Sequence, residues 1–143
     1  MIYLDTSFLT PLFREEASSA QVTAFLARQA TGTVAASKWT SVEFASLISR
    51  DVRVRTITAI QGRRLIAEFA AISEVSLVML TAGANDSELA LEYVSHFATY
   101  LRGPDALHLA IARNNGVEFV ATLDAGMLAA AKRLNIPARR VVR

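Results

Sequence analysis

At 143 residues and 15.5 kDa the chain has the length of one domain with its own core, and a single domain over 1–143 is the expectation. Hydrophobic residues make up 52% of it and the mean hydropathy is +0.32, yet no run reaches the roughly 18 uninterrupted apolar residues of a membrane helix. The formal charge is +2 with a pI of about 9.4, and the lack of cysteine excludes a disulfide framework and thiolate metal sites, so a cytoplasmic protein is expected, with no membrane partner.

Ile2 to Leu4 is a short apolar run that meets the capping residues Asp5-Thr6-Ser7 at once. Without a basic leader it reads as a strand rather than a signal peptide. A helix follows and ends near Pro11, and a second covers about Ser19 to Gln29 before Gly32 breaks it. Thr33 to Ala36 makes a second strand, and Ser37 caps a helix running to about Asp51. Another helix covers about Thr56 to Ala71, and Glu74 to Leu80, rich in valine and leucine, reads as the next strand. Asn85 or Asp86 opens a helix to about Phe97, and Gly103-Pro104 starts another that stops at Gly116. Glu118 to Thr122 is a strand, Ala125 to Leu134 a helix, and a last short strand lies near Arg139 to Val142. Strands alternating with helices predict α/β layers around a mostly parallel sheet, with the strand ends converging on one edge.

Asp5, Glu43, Asp105 and Asp124 fall where strands give way to helices or inside the helices that follow. Taken singly, Asp5 and Asp124 are ordinary helix caps, and Asp105 is an acid favoured by a helix dipole. Glu43 is less ordinary, because helical spacing puts it on a face with Trp39 and Leu47, where an unpaired charge is unfavourable. Asp105 shares its stripe with His108, Leu109 and Ala112, on a helix that is apolar almost all round. Four anions at one sheet edge require protonation or a cation, and hard oxygen ligands select Mg²⁺ or Mn²⁺. His108 reads as part of the packed helix or as a neighbour of the ligands, and His96 as peripheral.

The basic residues are nearly all arginine, with Lys38 and Lys132 the exceptions. The cluster Arg50, Arg53, Arg55, Arg63, Arg64 alone is a solvated face; beside an acidic pocket it becomes a rim for nucleic acid, together with Arg102. The excess apolarity has two readings, a heavily buried core or a surface covered by a partner or a second copy.

The segments Tyr3-Leu4-Asp5-Thr6-Ser7, Ser41-Val42-Glu43, Asp105-Ala106-Leu107-His108-Leu109-Ala110 and Ala121-Thr122-Leu123-Asp124 together resemble the PIN domain, and more narrowly the VapC-type toxins of type II toxin–antitoxin systems. The resemblance covers essentially the whole chain. It implies an α/β PIN-like (Rossmann-like) three-layer fold, with a central, mostly parallel sheet flanked by helices. The activity it implies is a Mg²⁺- or Mn²⁺-dependent endoribonuclease whose catalytic and metal-holding residues are Asp5, Glu43, Asp105 and Asp124. Thr6 or Ser7 and Thr122 would orient a carboxylate or a metal-bound water, although capping and turn roles explain these hydroxyls equally well. A cognate VapB-type antitoxin, an RNA substrate and a homodimer complete the expectation, with Arg50, Arg53 and Arg102 as candidates for holding RNA. Gly103-Pro104 departs from the small, helix-compatible residues more usual before this aspartate. The alternative is a PIN-fold RNA-binding or protein-interaction module with little or no catalysis. A dehalogenase-like phosphatase would need an acid where Ser7 stands, a receiver domain would need paired acids and a late lysine, and no glycine-rich phosphate loop occurs.

Overall fold

The computed structural model describes residues 1–142; Arg143, the end of the expected domain, lies outside the described residues. Five short strands form the sheet: β1 (Ile2–Leu4), β2 (Val34–Ser37), β3 (Val78–Leu80), β4 (Phe119–Ala121) and β5 (Ala138–Arg139). Their order is β3-β2-β1-β4-β5 and every pairing is parallel. Period-two alternation splits their side chains between two layers of helices. Ile2, Leu4, Val34, Ala36, Phe119 and Ala121 enter one core with α1 (Thr6–Leu9), α2 (Ser19–Leu26), α3 (Lys38–Arg53) and α4 (Ala59–Ser76). Tyr3 and Val120 enter the other, with α5 (Ala84–Ser95), α6 (Gly103–Asn114) and α7 (Ala125–Arg133). The three-layer α/β expectation holds.

Local chemistry accounts for the helix starts. Ser37 and Thr58 each form a capping box, with Thr40 and Gln61 respectively, and Asp5 and Asp124 cap α1 and α7. On the α1–α4 side Phe44 and Phe69 stack with centroids 4.3 Å apart. Where α4 packs on α3, Gly62 lies so near that an added Cβ would stand 2.9 Å from a methyl of Val52 and 3.2 Å from one of Ile48. Only glycine fits there, so the seat of α3 depends on it.

Several expected boundaries are corrected. Glu74 to Ser76 belong to α4, and the strand begins at Val78. The Leu77 N–H still donates to the Ser73 carbonyl at 3.0 Å, and Val75 is 83% exposed on the outer side of the helix. A valine-rich run at the edge of the sheet satisfies strand and helix patterns alike, and the helix extended through it. Likewise β5 is limited to Ala138–Arg139, and α2 stops at Leu26.

From β1 the chain steps outward through β2 to β3, then returns to lay β4 on the other side of β1. The order therefore reverses between β1 and β4, and the crevice at their carboxyl ends is where ligands bind in such sheets.

Candidate active site

Asp5 follows β1 directly and is 2% exposed. Its carboxylate accepts from the Phe8 N–H at 2.9 Å, from the Ser7 hydroxyl at 2.9 Å on both oxygens and from the Thr122 hydroxyl at 2.8 Å. Thr122 and Ser7 in turn accept from the Asp124 N–H at 3.0 Å and the Leu123 N–H at 2.9 Å, which ties the ends of β1 and β4 together. Burial pushes the Asp5 carboxyl up, opposed by the charge of His108 and by the bonds from Thr122, Phe8 and Ser7.

Glu43 lies one turn into α3 and bonds to His108 Nε2 and to the Thr6 hydroxyl. His108, 1% exposed on α6, holds the Tyr3 hydroxyl with Nδ1 at 2.7 Å, and Tyr3 donates to Ser37 Oγ at 2.8 Å. With the Tyr3 proton on Ser37, Nδ1 donates to the Tyr3 oxygen. Burial alone would raise the Glu43 carboxyl; the hydrogen bond and charge of His108, with Thr6, more than offset it and hold the group below its usual value. Burial likewise raises the Tyr3 phenol far above its usual value, so it stays protonated.

Asp105 is half-buried in the first turn of α6. Burial raises its carboxyl, and the neighbouring charges of Asp124 and Glu43 raise it further, against the opposing charges of His108 and Arg102. Asp124, exposed, caps α7 by accepting from the Met127 N–H at 2.8 Å. Among the described residues no three His, Cys, Asp or Glu side chains approach closely enough to form a ready metal cage. The donor chemistry nevertheless fits a hard divalent ion. The acids offer oxygen only, and the repulsion that raises Asp105 is what a cation between these carboxylates relieves.

That repulsion gives an expected result. In metal-free buffer at neutral pH, Asp124→Asn should raise the melting temperature, the fold gaining about 0.2–1 kcal/mol once solvent screening is allowed for. Asparagine keeps the cap. The folded Asp105 carboxyl titrates above its unfolded value, so the stability its neutral form confers is present at low pH and lost as pH rises through the folded pKa. The gain in the variant should therefore shrink toward acid pH. An equal or lower melting temperature at neutral pH would count against the coupling.

Above the Asp5 and Glu43 bonds opens a cleft of about 710 Å³, lined by Thr6, Ser7, Trp39, Glu43, Arg50, Arg53, Arg102 and Pro104 among others. Of the four acids, Glu43 lines the cleft itself. Arg50, Arg53 and Arg102 reach it, whereas Arg55, Arg63 and Arg64 do not, and Arg64 pairs with Glu68 at 2.8 Å. His96 is exposed at the end of α5, apart from the site. Sequence reasoning missed the chain from Ser37 through Tyr3 and His108 to Glu43. Strand alternation held the signal, since Tyr3 must face away from Ile2 and Leu4, toward the layer that carries His108.

Comparison with known structures gives similarity in fold. Mycobacterium tuberculosis VapC20, described as a sarcin-ricin loop cleaving toxin, is 23% identical with a TM-score of 0.75, covering 91% of this chain and 95% of that one. FitAcB from Neisseria gonorrhoeae is 18% identical with a TM-score of 0.70, covering 99% and 98%. VapBC2 from Rickettsia felis, bound to a promoter DNA fragment, is 17% identical with a TM-score of 0.68, covering 97% and 98%. No curated protein sequence matches significantly. The PIN domain family matches over residues 2–133, from the start of β1 to the end of α7, and the chain belongs to that family.

Proposed function

We propose that this chain, a single PIN domain over 1–143, is a divalent-metal-dependent endoribonuclease and the toxin of a VapBC-type pair, acting in the cytoplasm. The observation that supports this most is a buried Asp5, fixed at the β1/β4 switch point by Ser7, Thr122 and the Phe8 N–H, beneath a cleft rimmed by three arginines. Asp5, Glu43, Asp105 and Asp124 would hold Mg²⁺ or Mn²⁺, which when bound activates water and shields phosphate oxygens during an in-line displacement.

The protein's own residues do the positioning. Ser7 and Thr122 hold the Asp5 carboxylate in one orientation, and Thr6 and His108 hold Glu43. Tyr3 and Ser37 fix the ring of His108 through its other nitrogen. Arg50, Arg53 and Arg102 offer planar cations to the phosphates of an RNA backbone, an attraction that weakens as salt rises. The description of VapC20 as a toxin that cleaves the sarcin-ricin loop supports structured RNA as the substrate class. The VapBC and FitAB structures of similar fold support an antitoxin partner. Leu91, Phe97 and Tyr100, at 68%, 83% and 86% exposure, are apolar surface for a second copy or that partner to cover. No helix of the described residues is long and apolar enough to cross a membrane.

The test is RNA cleavage by the purified protein. Structured RNA should be cut when Mg²⁺ or Mn²⁺ is added, and excess EDTA should return the rate to background. RNA binding with no metal-stimulated cleavage would favour the interaction-module reading instead.

A further inference from the structure

Along α3 the residues Trp39, Glu43, Leu47, Arg50 and Arg53 recur at helical intervals, and all of them line the cleft. At the helical rise, Trp39 stands about 6 Å from Glu43 along the axis, and Arg50 about 10 Å from it on the other side. One face of one helix thus carries an aromatic ring, a carboxylate and two guanidinium groups in series. Trp39 is partly buried and packs against the α5–α7 core while bordering the cleft. Its indole N–H is buried without a hydrogen-bond partner among the described residues. No polar bond holds the ring, and what it offers the cleft is carbon surface rather than a donor. Pro104 adds an apolar wall from α6. Arginines that track phosphates, with an aromatic ring on the same track, are the two components of single-strand recognition.

We propose that Trp39 is a base-stacking platform, positioning the base next to the phosphodiester that is cut. The inference rests on the ribonuclease reading of the same cleft. It makes Trp39 a positioning residue for substrate rather than only a core residue of α3. Stacking accepts any base, so Trp39 would demand an unstacked nucleotide there without choosing its identity.

Trp39 is the sole tryptophan of the chain, so emission excited at wavelengths that tyrosine does not absorb reports on it alone. The probes are a short oligoadenylate and an abasic ribose-phosphate oligomer of equal length, each end-labelled for anisotropy. Binding is measured with wild type in EDTA and with Asp5→Asn in Mg²⁺, so that RNA stays intact. The expected result is that oligoadenylate quenches the emission while the abasic oligomer binds without quenching. Trp39→Leu should weaken oligoadenylate binding about five- to one-hundred-fold and leave the abasic oligomer unaffected, with Trp39→Phe restoring most of the loss. Should Trp39→Leu fail to fold, the emission measurement on protein with an intact Trp39 still decides. Oligoadenylate that binds without altering the emission overturns the role of Trp39 and leaves the RNA reading standing. If neither oligomer binds under either condition, the inference about Trp39 falls, while cleavage of structured RNA with Mg²⁺ or Mn²⁺ decides the ribonuclease reading separately.

Discussion

Asp5→Asn is expected to lower metal-stimulated RNA cleavage by at least about 100-fold while the protein stays folded. The amide oxygen can still accept from the Phe8 N–H, so the cap on α1 survives. The Ser7 and Thr122 hydroxyls rotate, and each can accept from the new amide as readily as it now donates. What disappears is the charge. Burial raises the Asp5 carboxyl, so at neutral pH the ionised group weakens the fold, and that penalty fades as pH falls toward the folded pKa. In EDTA, then, the variant should melt no lower than wild type even though it has lost activity. Cleavage assays with both metals, paired with thermal melts, separate the two effects. Asp105→Asn should behave alike. Wild-type rates in either variant would place the chemistry elsewhere or reveal a contaminating nuclease.

His108→Ala is expected to be the most damaging single change to stability, by about 3 kcal/mol or more, with a drop in melting temperature of roughly 10 °C. The ring is wholly enclosed, so its loss leaves a cavity and strips one partner from each of Tyr3 and Glu43. Once His108 is gone, burial outweighs the remaining Thr6 hydrogen bond at Glu43, and its carboxyl should rise from below its usual value to above it. The sign of the pH dependence changes with it. In wild type the Glu43 contribution is present above the unfolded carboxylate pKa and is lost as pH falls through the depressed folded value; in the variant that acid loss should vanish. Denaturant titrations across acid pH test both statements. A destabilisation below about 1 kcal/mol would mean that this network holds little of the fold together.

The layered architecture was legible because it depends on signals local in sequence. Ser37 before an amphipathic stretch, Pro104 after Gly103, and apolar triplets bounded by turns each dictate structure within a few residues. Glu43 was legible for a different reason, since helical phase placed a carboxylate among apolar neighbours. The run from Glu74 to Leu80 was misleading because an edge strand and the last turn of an amphipathic helix present similar patterns. The bond from Tyr3 to His108 could not be read from either segment, because it spans 105 positions and depends on which layer each element joins. The same holds for the arginines. Their clustering was visible, but which of them reach the cleft is set by how α3 lies on α4, and only Arg50 and Arg53 of that cluster arrive.

The placement of β1 between β2 and β4 also sets an order of events in time. On a ribosome β1 and Asp5 emerge ahead of β2 and pair with it early, since Ile2 meets Val34 across the single crossover that holds α1 and α2. The other flank of β1 stays bare until residues 119–121 have been made, and with it the Thr122 hydroxyl that fixes Asp5. At about 5–20 residues per second that interval lasts several seconds. A nascent chain interrupted between α3 and β4 carries Asp5 and Glu43 but no assembled centre, so the site is completed only once β4 and the Thr122 that follows it have been made.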